Sequence, residues 1–187
     1  MLTYKNPKAK SCVVCERVFV PWSSTQVVCR QSCAMKKARA DRLAAEKAER
    51  ESINRRKEAL KKVSELEADC REIVQEIARI RDRNDGCISC HVGPNYDGQW
   101  HGSHYRSHGG CSSLQFHLWN IHKSCAQCNK FKAGNIAEYR PRLVEKIGAD
   151  RVEWLDNQPK SQKFSREYLY RFKAVMGKRL RRMRKWK

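Results

Sequence analysis

The chain has 187 residues, with 40 Lys+Arg against 20 Asp+Glu, a formal net charge of +20. A chain this basic is drawn to polyanions, so nucleic acid is the expected partner class. No apolar run approaches the roughly 18 residues of a membrane span, and the first eight residues hold none of the apolar stretch that a secretory signal needs. A cytoplasmic location is therefore expected. Ten cysteines in such a chain argue for metal ligation rather than disulfides.

The charge is unevenly placed. Residues 1–33 carry net +4, residues 34–83 net +4, residues 84–159 only +1, and residues 160–187 net +11, from 12 basic residues and 1 acidic. The tail is expected to grip phosphate, because counterion release rewards clustered Lys and Arg. The nearly neutral middle is where chemistry is expected.

Residues 1–33 read as a small zinc module. Cys12-x2-Cys15 and Cys29-x3-Cys33, 13 residues apart, match a closed tetrahedral Zn²⁺ site. A segment this short has too little core to fold without a staple. Residues 34–83 lack Gly and Pro and are rich in Ala, Glu, Lys, Arg and Leu. They predict one long charged helix, roughly 75 Å at 1.5 Å per residue. Its second half carries a 4-3 seam: Ala59, Val63, Leu66, Cys70, Ile73, Ile77 and Ile80. That seam suits either a coiled coil, and so a homodimer through residues 59–80, or packing on the next domain. Cys70 in the seam reads as a packed thiol, while Cys111 has no evident role and is expected near the surface. Asn84-Asp85-Gly86 ends the helix.

Residues 84–157 form the third region. Cys87-x2-Cys90 and Cys125-x2-Cys128, 34 residues apart, make a second four-cysteine zinc pattern. All 6 histidines lie between His91 and His122, at or just after the first knuckle. Short strands and loops are expected there, then a helix from Pro141 to Gly148. Asn157-Gln158-Pro159 reads as a linker, and residues 158–187 as a basic helix or tail beginning near Ser165. Its apolar stripe is Leu169, Phe172, Val175 or Met176, Leu180 and Met183. The fold class is α+β.

The segments 87–90, 99–107 and 114–135, with His104, Asn120 and Asn129 between and beside the two knuckles, resemble an HNH (ββα-metal) nuclease core. More closely, residues 84–157 are similar to the NinG (Rap) recombination endonucleases of lambdoid phages, and the front zinc module and charged helix follow in the same order. The resemblance implies a DNA endonuclease that cuts branched recombination intermediates, D-loops and four-way junctions, in a bacterial host. It implies His104 as general base, Asn120 as the loop residue holding the motif's geometry, and Asn129 as ligand of one catalytic Mg²⁺ or Mn²⁺. His122 falls near the active site, in a phosphate-contacting role. Many HNH sites have an Asp just before the base; here it is Ser103, and His101 stands where the phage family has an Asp. Either Asn129 is the sole protein ligand, or His101 joins it and shifts preference toward Mn²⁺ or a softer metal.

The expected cofactors are thus two structural Zn²⁺ and one catalytic divalent cation. Expected DNA contacts are Arg106, Lys123, Lys130 and Lys132 beside the motif and Lys178, Arg179, Arg181, Arg182, Arg184 and Lys185 in the tail. Two alternatives stand: a non-catalytic zinc-held nucleic-acid-binding protein, and a restriction-type HNH nuclease. Retention of His104, Asn120 and Asn129 together disfavours the first. The absence of a recognisable sequence-reading domain disfavours the second.

Overall fold

A computed structural model describes residues 8–185. The chain divides into two units, one ending at Leu60 and one beginning at Lys61.

In the first unit, β1 (Lys10–Ser11) pairs antiparallel with β2 (Val18–Phe19), Lys10 opposite Phe19. The turn between them carries Cys12 and Cys15. It is closed by the Cys12 N–H donating to Arg17 O (3.0 Å) and the Glu16 N–H donating to Cys12 O (2.9 Å), with Glu16 left-handed at φ 59°. Helix α1 (Gln31–Leu60) follows and buries only Cys33. Exposed i,i+4 pairs, Lys37–Asp41 (2.6 Å) and Arg42–Glu46 (3.0 Å), line its surface.

The single helix expected over 34–83 is two helices, because Lys61 and Lys62 are not helical. No breaker residue marks the spot; tertiary contacts do. The Lys61 carbonyl accepts from the Arg166 guanidinium (2.5 Å), and its ammonium pairs with Asp69 (2.5 Å). The Lys62 N–H donates to the Glu65 carboxylate (2.6 Å), which starts α2 (Val63–Arg81) afresh.

The second unit is built around α2. The antiparallel hairpin of β3 (Trp100–His104) and β4 (Ile121–Cys125) packs on it, as does α5 (Arg166–Arg184). The approach is close: a Cβ added at Gly102 of β3 would lie 2.7 Å from the Gln75 Cα of α2. Leu66, Cys70, Val74, Ile77 and Ala78 of α2 are fully buried, against Phe116, Ile121 and Leu169 among others. Much of the seam is therefore filled by the chain itself. Leu66, Cys70 and Ile77 are taken up in this way, while Val63 stays exposed. Cys70 is a packed thiol as expected, its ionisation pushed up to about 11 by burial.

Other expectations are changed or narrowed. The helix expected from Pro141 begins five residues earlier, as α3 (Ile136–Ile147), with Pro141 inside it. A separate helix, α4 (Ala149–Asp156), fills the stretch before the linker. In α5 it is Met176, not the exposed Val175, that joins the core. The start of α5 is as read: the Ser165 side chain accepts from the Tyr168 N–H (3.2 Å). Cys111 is buried, in a core with Tyr105, Tyr139, Leu143, Val152 and Leu155.

Asp82, just past α2, is the buried electrostatic joint of this unit. It pairs with Arg81 (2.7 Å) and Lys146 (3.0 Å) and accepts the Lys123 N–H (3.2 Å). Burial alone would raise its pKa, but Arg81 and Lys146 outweigh that and bring it from 3.8 down to about 2. A depressed carboxylate contributes stability that is complete above its unfolded pKa and lost as pH falls through the folded one. Asp82→Asn is expected to cost about 3 kcal/mol near neutrality, the low end for a buried pair since Arg81 stays partly solvated. In urea titrations the gap to the parent should narrow as pH drops from about 4 to 2.

Candidate active site and metal centres

Two cysteine clusters are assembled as the spacing predicted. Cys12, Cys15, Cys29 and Cys33 form one, and Cys87, Cys90, Cys125 and Cys128 the other; within each, all Sγ atoms lie within 4.8 Å of one another. A tetrahedral Zn²⁺ with 2.3 Å bonds needs sulfurs roughly 3.8 Å apart. Cys15–Cys29 is 3.5 Å, Cys29–Cys33 3.9 Å and Cys90–Cys125 3.8 Å. Backbone N–H groups already point at the thiolate positions: Cys29 N to Cys12 Sγ (3.4 Å), and Ser89 N and Cys125 N to Cys87 Sγ (3.4 and 3.3 Å). Both groups could hold zinc, and four protein ligands leave no open position for catalysis.

Beside the second cluster, where Asn129 follows Cys128, lies a cleft of about 340 Å³ lined by Gln75, Gly102, Ser103, His104, Ser107, His108, Asn129, Ala133 and Gly134. Asn129 follows Cys128 within a single π-helical turn, Gln127–Phe131. The Gly134 N–H donates to Cys128 O (2.9 Å), and Ala133, Gly134 and Asn135 are all left-handed, which turns the chain back into α3. Asn129 is thus held between a metal-ligand position and a closed loop.

His104, at the end of β3, is held by its Nε2 at 3.0 Å from the Gln115 carbonyl. A carbonyl only accepts, so Nε2 carries the proton and Nδ1 keeps the free lone pair. Gln115 is itself fixed, its side-chain oxygen accepting from Arg71 of α2 (2.6 Å). Burial lowers the pKa of His104, partly offset by the Gln115 bond, with His108 and Arg71 lowering it further. His104 is therefore a neutral imidazole at pH 7. Asn120 is fully buried: its Oδ1 accepts the Arg106 N–H (2.8 Å) while Nδ2 donates to Arg106 O (2.9 Å) and Leu114 O (3.2 Å). It ties the segment after β3 to the segment before β4.

Four other expected site residues are placed differently. His122 is 1% exposed and bonded to the Tyr139 hydroxyl (3.1 Å), which donates to Ser103 O (3.1 Å). Its pKa falls to about 3 through burial. It is not among the residues lining the cleft, and its bond to Tyr139 ties it to the strand that carries His104. His101 does not line the cleft: three residues before His104, it falls on the other face of β3. Its Nε2 is buried without a hydrogen-bond partner among the described residues, and burial, Lys130 and Arg79 lower its pKa. Arg106 Nη1 donates to Leu155 O, Asp156 O and Gln158 O (2.7, 3.0 and 3.1 Å), at the end of α4 and just past it. Lys123 is buried, donating to Arg83 O (2.9 Å) above the Trp100 ring. The period-two alternation of β4 signals none of this, because all five of its residues are buried.

Lys130 and Lys132 are exposed on the turn beside Asn129. Lys178, Arg179, Arg181, Arg182, Arg184 and Lys185 are on α5 and its C-terminal end, with Arg184 paired to Glu76 (2.6 Å). Sequence reasoning assigned no part to His108, Gln115, Arg71 or Tyr139. Only the clustering of the histidines hinted at the first.

A family model described as "Bacteriophage Lambda NinG protein" matches residues 4–186. The chain is 30% identical to Protein ninG of Escherichia phage 933W over 95% of each chain. It is 31% identical to Protein ninG of Salmonella phage P22 over 91% of this chain and 90% of the relative. It is 30% identical to that of Escherichia phage lambda with the same coverage. No solved structure matches.

Proposed function

The chain belongs to the NinG family of lambdoid phages, and from that premise we propose that it is a metal-dependent HNH-type DNA endonuclease acting on branched recombination intermediates in the host cytoplasm. The observation that carries the proposal is the meeting of His104 and Asn129 in one cleft, with His104 held as the tautomer whose Nδ1 is free.

Phosphodiester hydrolysis needs an activated water, relief of charge on phosphorus and a stabilised leaving oxygen. A neutral, half-buried imidazole takes the proton of the attacking water near neutral pH. The Asn129 carboxamide is a hard, neutral oxygen ligand suited to Mg²⁺ or Mn²⁺. No carboxylate is among the residues lining the cleft. The donor set therefore fits a loosely held, exchangeable cation whose shell is completed by water and phosphate. When bound, such a cation neutralises charge on the scissile phosphate and at the 3′ oxygen. Asn120 and the chain His122–Tyr139–Ser103 keep the two catalytic side chains in register, while the structural zinc site anchors Asn129.

The basic face of α5 reads phosphates and not bases, which suits a substrate defined by shape. Its inner face completes the core, so its charges are tested by substitution rather than truncation. Lys178, Arg181 and Lys185 border one shallow groove with Arg182. Replacing those three by Ala is expected to weaken DNA binding and to lower the salt slope by roughly one for each phosphate no longer neutralised. An unchanged slope would move the DNA elsewhere.

Substrate class is tested by offering labelled four-way junction, D-loop and plain duplex in competition, with Mg²⁺ or Mn²⁺. Preferential cutting of the branched DNAs is expected. Equal or sequence-dependent cutting of duplex would support the restriction-type alternative.

A further inference from the structure

The cleft contains a second imidazole that the proposed mechanism leaves unused. His108 sits in a turn pinned by the Gly110 N–H (3.1 Å) and the Cys111 N–H (2.8 Å), both donating to Ser107 O. Cys111 beneath it is buried, so the turn is anchored from below. The His108 ring is exposed, lines the cleft with His104 and Asn129, and its centroid is 6.1 Å from that of His104. Other histidines are committed elsewhere: His122 to Tyr139, His117 to the Trp119 N–H (3.3 Å), His91 to Arg142 (3.2 Å).

In an in-line displacement the attacking and leaving oxygens lie on opposite sides of phosphorus, roughly 4 Å apart. Two imidazoles about one phosphate apart can serve one oxygen each. No carboxylate lines the cleft to tighten a cation on the leaving oxygen, so a second proton carrier has work to do there.

We propose that His108 is a catalytic general acid that protonates the 3′ leaving oxygen. The proposal rests on the endonuclease reading above. The water oxygen forms the new bond to phosphorus and its proton passes to His104 Nδ1. The P–O3′ bond breaks, its electron pair stays on O3′, and the imidazolium of His108 gives O3′ its proton. The products are a 5′-phosphate and a 3′-hydroxyl. Afterwards His104 sheds its proton to solvent and His108 regains one, so no other reactant is needed.

A thiolate leaves without a proton, which provides the test. Parent and His108→Ala proteins are compared on one four-way junction with either the ordinary ester or a 3′-bridging phosphorothiolate at the cut site, in Mg²⁺ and again in Mn²⁺. Taking the variant-to-parent ratio in each metal cancels the weak affinity of Mg²⁺ for sulfur. His108→Ala is expected to be on the order of 10²-fold slower than the parent on the oxygen ester, and within about threefold of it on the sulfur ester. Equal slowing on both esters, or none on either, would overturn the acid role while leaving the endonuclease reading in place. A parent protein that cuts neither junction would remove that reading and this role together. Circular dichroism and zinc content of the variant should match the parent, because the replaced ring is exposed.

Discussion

Cys125→Ser should drop the zinc content of the purified protein from two equivalents to one and abolish the cleft. Cys125 closes β4 and is 1% exposed, in a small core whose fully buried members are Cys87, Cys125 and Cys128 themselves. Val92, Tyr96 and Trp100 pack only at its edge. There is little apolar surface here to hold the hairpin and the Asn129 turn together without a metal. Structural zinc contributes on the order of 10–16 kcal/mol in isolated fingers, against a total stability of about 5–15 kcal/mol for an ordinary domain. Loss of one thiolate should therefore lower the thermal midpoint sharply and stop cleavage. Cys12→Ser is the informative companion. It lies in the other unit, so it should also lose one zinc, yet leave the second four-cysteine site and the cleft chemistry standing. A Cys125→Ser protein with two zincs and an unchanged melting curve would show that the cluster is not a metal site.

His104→Ala is the second large effect. It should reduce single-turnover cleavage by on the order of 10²-fold or more while leaving DNA affinity within about twofold. Binding should be preserved because the charges proposed to grip phosphate are on other residues, chiefly on α5. The pH dependence follows from the same side chain. Burial keeps the pKa of His104 below 6.5, and the base must be unprotonated. On the acid side, cleavage by the parent should thus persist below pH 6.5 and fall as the ring becomes protonated. An acid limb centred well above 6.5 would assign the base to another group. A His104→Ala protein that cuts at the parent rate would do the same.

The cysteines were the most legible part of the chain. Their spacing announces two closed sites because tetrahedral ligation fixes how thiolates pair along a sequence, and both sets converge. The Asn120 brace and the shared cleft of His104 and Asn129 were legible only through family resemblance, since isolated Asn and His residues carry no periodic signal. The helix boundary at Lys61–Lys62 was not legible: a Lys-Lys pair favours helix, and the break is enforced by Arg166 and Asp69, distant in sequence. The seam of α2 was visible, but its partner was not, because α5 and β4 present the same kind of apolar surface as a second copy would. His122, Lys123 and Arg106 mislead for one reason. Polar side chains in and beside the hairpin turn inward when backbone and hydroxyl partners satisfy them, and a charge in the sequence does not reveal that its hydrogen bonds are already taken.

The central claim is that this cleft hydrolyses DNA. Its most direct test is to identify the product termini after single-turnover incubation of an end-labelled four-way junction with excess protein, in Mg²⁺ and in a chelator too weak to strip the structural zinc. Cuts bearing 5′-phosphate and 3′-hydroxyl ends, formed in Mg²⁺, lost in the chelator and absent with His104→Ala, are the expected result. A junction that is bound by the parent protein and remains intact with every divalent metal would contradict the claim and leave a zinc-held nucleic-acid-binding protein in its place.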